Sequence, residues 1–451
     1  MSLGDVRGRV LRGTWFHAPS PAKAEVLADS IIVVDSDGII EAALKPGDAG
    51  YGTAAADAIE IPGRFLLPGL VDLHVHAPQY PQLGQALDEP LEIWLGKYTF
   101  PLEARYADLD FARPRYDALV RDLLAAGTTT ALYFATVDLN ATKLLADLAI
   151  AHGQRALIGK VVMDDAASCP DYYRDGSAES AVTDTRAFID YVRDHPDNRD
   201  GRVLPVITPR FIPSCSDAAL NGLGALAQLT GCHVQTHCSE SDWAHGHALE
   251  RYGKTDTTVL NGFGLLGRRS ILAHSNFITD ADMATIASRG AGIAHCAVSN
   301  AYFANAVFPL RRALGRGLHV GLGTDISGGP LSSVMEAMRG TVQASRMLET
   351  GVDPRKDQAE RGVPSSAITI ATAFYLATAG GGIALDLSIG QFAPGYKFDA
   401  IAVDPEAAGG TVRLFDEREP TAILEKILYT ASRPNIAEVW VGGRSVSRAE
   451  I

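Results

Sequence analysis

Five polar residues fall where predicted strands end, and together they have the chemistry of a metal site. His74 and His76 end one strand, and three later strands end at His237, His274 and Asp325. Side chains two positions apart in a strand point to the same side, so His74 and His76 can reach one centre. Imidazole nitrogens and a carboxylate oxygen suit Zn²⁺, which catalytic sites hold with one position open for water. The pattern predicts a zinc site of three imidazoles and one carboxylate.

A further carboxylate lies close to one of these histidines in the sequence. Glu240 follows His237 by three residues, where the strand is expected to turn into a helix. At that point it could carry protons between water and a substrate, which is typically worth about 10²–10⁴ in rate. An acidic residue can also simply stabilise the N-terminus of a helix. Beside the predicted metal ligands, the acid–base role is favoured.

Strand-like and helical segments alternate through the middle of the chain, which is typical of parallel βα units. The predicted strands cover residues 67–74, 128–134, 156–163, 203–208, 232–237, 270–274, 292–295 and 319–323. Eight such units predict an α/β fold of the (β/α)8 TIM-barrel type, whose functional residues lie at the carboxyl ends of the strands.

Both ends of the chain contain short β-type segments separated by Gly, Asp and Pro, for example residues 30–34 and 438–443. Short strands at close spacing, with turn residues between them, predict a small β-sheet domain. We therefore expect a small β-sandwich domain built from residues 1–64 plus 386–451, flanking a barrel formed by residues 65–385.

Composition excludes several classes of protein. The 451 residues are 47% hydrophobic and 21% charged, which is typical of globular chains and not of disordered ones. The net charge of −13 disfavours a nucleic-acid partner. No run approaches the roughly 18 apolar residues of a membrane span, and residues 1–13 lack the apolar stretch of a signal peptide. Five cysteines without a Cys-x-x-Cys pair predict a reduced, cytoplasmic protein.

Several segments resemble known motifs. Residues 68–76 (PGLVDLHVH) resemble the strand-one motif of the amidohydrolase superfamily, and residues 323–325 (GTD) resemble its strand-eight ending. Within that superfamily the chain resembles the guanine deaminase family at residues 76–80 (HAPQY), 94–101 (WLGKYTFP), 208–211 (TPRF), 237–240 (HCSE), 273–274 (AH) and 295–300 (HCAVSN). The resemblance extends from about Phe65 to Glu438.

The resemblance implies specific roles for the residues at the strand ends. It implies one Zn²⁺ per chain, held by His74, His76, His237 and Asp325. The implied catalytic residues are Glu240, His274 and Asp325: Glu240 carries protons, and His274 and Asp325 orient the attacking water. Binuclear relatives carry a bridging lysine on strand four, whereas Lys160 ends strand three here, so a one-metal site is favoured.

The resemblance also implies the substrate and its contacts. Gln79 and Arg210 would hydrogen-bond the polar edge of a purine, and Phe211 would pack on its ring. The same implied substrate-binding set includes His76, His237, Glu240 and Asp325. The implied reaction is hydrolytic deamination of guanine to xanthine and ammonia in purine catabolism, by an enzyme that binds a small molecule and forms a homodimer.

Departures from the family pattern leave alternatives open. Relatives commonly have Pro where this chain has Ala297, and a Ser/Gly-rich loop where it has Tyr302 and Phe303. These two rings could reshape one wall of the pocket, so 8-oxoguanine, a pterin or a triazine are alternative substrates. Arg210 could instead pair with a carboxylate and only brace its strand. A metal-free scaffold acting in protein assembly is the alternative outside enzymes.

Overall fold

The strands of the computed structural model, which describes residues 3–446, differ between the middle and the two ends of the chain. In chain order they are β1 (Val10–Ser20), β2 (Lys23–Val34), β3 (Ile40–Leu44), β4 (Ile59–Pro68), β5 (Leu70–His76), β6 (Thr128–Phe134), β7 (Arg155–Gly159), β8 (Val161–Val162), β9 (Val203–Pro209), β10 (His233–Cys238), β11 (Ser270–His274), β12 (Gly292–His295), β13 (His319–Leu322), β14 (Ala400–Val403), β15 (Ile436–Val441) and β16 (Arg444–Ser445).

Helices occupy most of the connections between the barrel strands, and further helices follow the barrel or connect strands of the terminal sheet. They are α1 (Tyr51–Ala56), α2 (Leu91–Trp94), α3 (Phe100–Ala104), α4 (Leu109–Ala125), α5 (Leu139–His152), α6 (Ala178–Arg193), α7 (Asp217–Thr230), α8 (Asp242–Tyr252), α9 (Asp256–Gly262), α10 (Asp280–Arg289), α11 (Ala297–Ser299), α12 (Leu310–Gly315), α13 (Val334–Thr350), α14 (Ile370–Tyr375), α15 (Gly381–Ala384) and α16 (Pro420–Thr430). Short 3₁₀ turns cover Ala77–Gln82, Arg105–Ala107, Ile212–Ser214 and Arg433–Asn435, and π turns cover Leu95–Thr99, Asn300–Ala304 and Leu376–Gly380. No helix within residues 3–446 is long and apolar enough to cross a membrane.

The middle of the chain forms the predicted barrel. Strands β5, β6, β7, β9, β10, β11, β12 and β13 pair in that order, and each pairing with a recorded register is parallel. Their side chains are buried almost throughout, because helices cover the outside and the side chains of neighbouring strands fill the inside. The α/β barrel expected from the sequence is confirmed.

The barrel closes between β5 and the segment that follows β13. Asp325 N–H donates to the His74 carbonyl (2.9 Å), and His76 N–H donates to the Ile326 carbonyl (2.9 Å). The buried Asp72 carboxylate adds to this contact, since it accepts from both the backbone N–H (3.0 Å) and the hydroxyl (2.5 Å) of Thr324. The first strand is thereby joined directly to the segment that carries Asp325.

The first barrel strand begins later than the sequence pattern suggests. Residues 67–74 were expected to form it, but Leu67 and Pro68 belong to β4, which pairs with β14 in the terminal sheet. The chain changes sheets at Gly69, where a Cβ atom would lie only 2.1 Å from the Thr129 hydroxyl. Because the apolar residues continue across this point, hydrophobic periodicity gives no sign of the change.

The two ends of the chain form the predicted small β domain. Within the described residues its sheet has the order β16-β15-β14-β4-β1-β2-β3, so strands from the C-terminal part lie beside strands from the N-terminal part. Its core contains Trp15, Phe392, Phe398 and Trp440, whose rings pack edge-on or tilted against one another. The boundaries at residues 64/65 and 385/386 stay a prediction.

A buried ion pair joins the barrel to the terminal sheet, and its loss is expected to destabilise the fold. Arg155 of β7 donates from Nε (2.9 Å) and Nη2 (3.0 Å) to Asp399, whose carboxylate also accepts from Gly442 N–H (2.7 Å). Asp399→Asn should lower stability by about 3 kcal/mol, because it leaves a buried guanidinium uncompensated. Thermal unfolding should show a lower Tm. The control is Asp353→Asn in the exposed pair with Arg355, where no shift is expected; equal Tm values for the two variants would contradict the prediction.

Candidate active site

The five strand-end residues lie together at the carboxyl ends of the barrel strands. His76 Nε2 lies 3.0 Å from His237 Nε2, and His74 Nε2 lies 3.2 Å from Asp325 Oδ1. His76 Nε2 is 3.6 Å from the same Asp325 oxygen, and His274 Nε2 is 3.9 Å from Asp325 Oδ2. Residues separated by up to 251 positions in the sequence thus surround one centre, as the spacing predicted.

The hydrogen bonds around this centre leave imidazole nitrogens free to bind a cation. His237 Nδ1 lies 2.6 Å from the Arg210 carbonyl and must donate to it, which leaves the Nε2 lone pair facing the centre. His74 Nε2 is buried and has no hydrogen-bond partner among the described residues. A divalent cation would satisfy these nitrogens and the Asp325 carboxylate together, and this mixed N/O donor set is one that such an ion accepts.

Burial sets the protonation of the site. It lowers the pKa of His74, His76 and His237 well below the usual value of a histidine, so these imidazoles are neutral, as metal ligands must be. Burial also raises the pKa of Asp325. For Glu240, burial and the nearby Asp325 carboxylate raise the pKa to about 8. Glu240 can therefore hold a proton near neutral pH, as a general acid requires.

His274 is held by a chain of two asparagines that the sequence analysis did not identify. Its Nδ1 donates to Asn300 Oδ1 (2.9 Å), Asn300 Nδ2 donates to Asn276 Oδ1 (2.7 Å), and Asn276 Nδ2 donates to the Glu240 carbonyl (2.8 Å). His274 Nε2 is therefore an acceptor, and it lies 3.5 Å from Glu240 Oε1. Asn300 ends the segment 295–300 that carries the family resemblance, which was the available signal for it.

Strained backbone conformations occur where the strands end at the site. Ser239, His274, Ser275 and Asp325 all have positive φ, at 45°, 67°, 56° and 53°. Side-chain-bearing residues rarely adopt this region, and each such residue costs of order 1–3 kcal/mol. Two of them, His274 and Asp325, are themselves candidate catalytic residues. The fold therefore tolerates strain to place these side chains.

The predicted substrate-binding residues all line one cavity: His76, Gln79, Arg210, Phe211, His237, Glu240 and Asp325. Three of them, His76, His237 and Asp325, are also among the five strand-end residues. The cavity combines a cationic fork, an amide, an aromatic ring and a protonatable carboxyl group. A planar heterocycle with a polar edge needs this combination.

An apolar wall faces these polar groups. It is formed by Leu91, Trp94, Leu95 and Phe303, with the Trp94 and Phe303 rings 4.9 Å apart. The sequence analysis anticipated Phe303 as a wall residue, and the structure places it there. Tyr302, in contrast, is exposed and does not line the cavity.

Arg210 lines the cavity and also pairs with a carboxylate. Its Nη1 and Nη2 atoms lie 2.7 and 3.1 Å from the two oxygens of the buried Glu103, a residue that the sequence analysis missed. The contact with a carboxylate that was considered for Arg210 is thus present, and Arg210 also lines the cavity.

Lys160 is buried, and its Nζ lies 2.5 Å from Asp175 Oδ1.

Comparisons with known proteins agree with this geometry. Residues 65–446 match the model of the amidohydrolase family. The chain is 38% identical to a probable guanine deaminase of Schizosaccharomyces pombe, over 86% of this chain and 73% of the relative. It is 35% identical to the guanine deaminase of Homo sapiens, over 97% and 96%. The crystal structure of guanine deaminase from C. acetobutylicum with bound guanine superposes with a TM-score of 0.86 at 30% identity, over 97% of this chain and 99% of that one.

Removal of one central imidazole is expected to remove a bound metal. After dialysis, His237→Ala should hold at least about tenfold less divalent metal per chain than the parent protein, because metal sites seldom keep their affinity when one protein ligand is removed. Metal content is measured by mass spectrometry, and folding by circular dichroism. The control is His152→Ala. His152 ends α5, and its half-buried imidazole pairs with Asp117 of α4. Equal metal content in the two folded variants would show that His237 is not a ligand.

Proposed function

Because the chain belongs to the amidohydrolase family, we propose that it is a zinc-dependent guanine aminohydrolase that converts guanine and water to xanthine and ammonia. One observation carries the proposal: Arg210, Gln79 and Phe211 line the same cavity as Glu240 and the metal-ligand cluster. The guanine deaminases similar to this chain, one of them solved with bound guanine, support it.

The proposed metal is one Zn²⁺ per chain, held by His74, His76, His237 and Asp325. Neutral imidazoles and one carboxylate form a borderline-soft donor set, which suits zinc, and His74 Nε2 has no hydrogen-bond partner within the described residues. A single ion is supported by Lys160, the lysine considered as a bridge to a second metal. Its ammonium group is already paired with Asp175. When bound, zinc supplies the Lewis acidity that makes water a nucleophile at neutral pH.

The proposed substrate is selected by its hydrogen-bonding edge. Arg210 has only donors, so it matches the acceptor O6 of guanine and opposes the amino group that adenine carries there. A buried site built for one such group rejects an analogue without it by about 10⁴–10⁵, because its polar atoms are left unpaired. Phe211 offers a ring face to the heterocycle, and its own ring is held against His237 and Trp243.

The proposed chemistry uses two side chains, His274 and Glu240, to accept and donate protons. His274 Nε2 accepts a proton as water attacks C2, and its orientation follows from the bond between Nδ1 and Asn300. Glu240, whose raised pKa keeps a proton available, protonates the adjacent ring nitrogen, so C2 becomes tetrahedral without a full negative charge. The proton held by His274 then passes to the amino group, the C2–N bond breaks and ammonia leaves. The C2 hydroxyl proton returns to Glu240, which restores its protonated form and leaves the oxo group of xanthine at C2.

The proposed setting is cytoplasmic purine catabolism. All five cysteines are buried and unpaired in the described structure, which fits a reducing compartment. The partner is a small molecule, and the net charge of −13 disfavours nucleic acid. Formation of a homodimer stays a prediction.

The proposal is tested by ammonia release from a panel of guanine, adenine, 8-oxoguanine, a pterin and a triazine, with chromatographic identification of the product. Guanine should give xanthine, with a kcat/KM at least about 10⁴ above that for adenine. Chelation should abolish the activity, and added Zn²⁺ should restore it. A higher kcat/KM for another member of the panel would reassign the substrate, and full activity of metal-free protein would reject the mechanism.

The role of Glu240 can be separated from binding by an isosteric change. Glu240→Gln keeps the shape of the side chain but cannot carry a proton, so kcat should fall by about 10² or more. KM and zinc content should change little. The control is Glu250→Gln, an exposed residue on the adjoining helix α8, which should keep the parent kcat. A Glu240→Gln enzyme within a few-fold of the parent would make Glu240 a helix-end carboxylate without a catalytic role.

A further inference from the structure

Glu103 is a fully buried carboxylate whose two oxygens accept hydrogen bonds from three side chains. It lies on α3, away from the strand ends that carry the metal ligands. Arg210 donates from Nη1 (2.7 Å) and Nη2 (3.1 Å), Gln79 from Nε2 (2.8 Å), and Tyr173 from its hydroxyl (2.5 Å). Four bonds use the whole acceptor capacity of a carboxylate. Two of the three donating residues, Arg210 and Gln79, line the substrate cavity.

These contacts fix the direction of the Gln79 amide. A free amide can turn either its NH₂ group or its oxygen toward a ligand. Glu103 can only accept, so it holds Nε2, and the Ser327 backbone N–H can only donate, so it holds Oε1 (3.2 Å). Gln79 therefore meets a ligand in one orientation, with Nε2 on the same side as the Arg210 fork. The edge formed by these two groups carries hydrogens and calls for acceptors on the ligand.

Glu103 also balances the charge of this edge. Arg210 is almost fully buried, and an unpaired guanidinium in such a place would be costly and would favour anions. Although burial alone lowers the pKa of Arg210, its pairing with Glu103 leaves that pKa above the usual value. The pair carries no net charge, so the cavity edge fits a neutral ligand. The Phe100 ring, centred 5.1 Å from the guanidinium carbon, further restricts the fork.

We propose that Glu103 is a positioning residue for substrate selection: by holding Arg210 and Gln79 as donors, it makes the cavity prefer a neutral heterocycle with an oxo group on that edge over the amino analogue. The inference rests on the proposed function in that this cavity is taken as the substrate site. It does not require that the reaction take place at C2.

Hypoxanthine and adenine form a matched pair of ligands for the test. They differ at the edge in question, where one has an oxo group and the other an amino group, and neither carries an amino group at C2. Calorimetric titration of the metal-loaded protein should give hypoxanthine a Kd at least about tenfold below that of adenine. In Glu103→Gln the ratio of the adenine Kd to the hypoxanthine Kd should fall toward one. An amide NH₂ group then faces the donors of Arg210 and Gln79, and the Gln79 amide is free to rotate.

Two further variants separate selection from bracing. Tyr173→Phe removes one donor to Glu103 but keeps the carboxylate, so the ratio of the two Kd values should stay within about twofold of the parent. Glu103→Asp keeps the charge but withdraws it by one methylene group, so the ratio should be intermediate. The latter variant also provides the test if Glu103→Gln does not yield folded protein.

The outcomes distinguish this inference from the proposed function. A folded Glu103 variant that keeps the Kd ratio of the parent protein and has only a lower Tm would show that Glu103 has a purely structural role, and would overturn the inference. A parent protein that binds hypoxanthine over adenine in a Glu103-dependent way, but releases no ammonia from guanine, would overturn the proposed function and support the inference. A parent protein that prefers adenine would overturn both.

Discussion

The first and last strands of the barrel meet along a seam, and the residues proposed to hold the metal lie on both sides of it. His74 and His76 lie on one side, and Asp325 lies on the other, three residues after β13 ends. Asp72 holds the seam because its carboxylate binds Thr324, the residue directly before Asp325, and it also accepts from the His74 N–H (3.2 Å). The distance between the two histidines and the Asp325 carboxylate is therefore set by barrel closure. The remaining proposed ligand, His237, is placed by strand pairing within the barrel.

Exclusion of water sets the protonation states of these side chains, and it also adds unfavourable free energy to the folded state. Burial keeps the imidazoles neutral and raises the pKa of Glu240 to about 8, which no exposed glutamate would show. Within residues 3–446 the same burial leaves His74 Nε2 without a hydrogen-bond partner, and the positive φ angles of His274 and Asp325 add strain. Four of the ten non-glycine residues with positive φ in the described structure lie at the ends of the strands that form the site. A bound cation would offset part of the cost by satisfying the unpartnered nitrogens.

The sequence predicts residues whose position follows from periodicity, and it misses those placed by long-range contact. Strand ends and the two-residue spacing of His74 and His76 were sufficient to predict that the five strand-end residues lie together. The change of sheets at Gly69 leaves no trace in the hydrophobic pattern, because buried strands on both sides are apolar. Glu103 lies on a short helix without a distinctive pattern, and its partner Arg210 is 107 positions away. Nothing local in the chain indicates that these two residues meet.

Arg210 connects the candidate substrate cavity to the proposed metal centre. Its carbonyl accepts from His237 Nδ1 and so directs the other nitrogen of that imidazole to the centre, while its side chain lines the cavity. Glu103 fixes the side chain, and the pairing of β9 with β10 fixes the backbone. A shift of Arg210 would therefore disturb both the cavity edge and the orientation of the His237 imidazole. Because one residue serves both, the proposed substrate site and the proposed metal centre keep a constant separation, as a reaction between them would require.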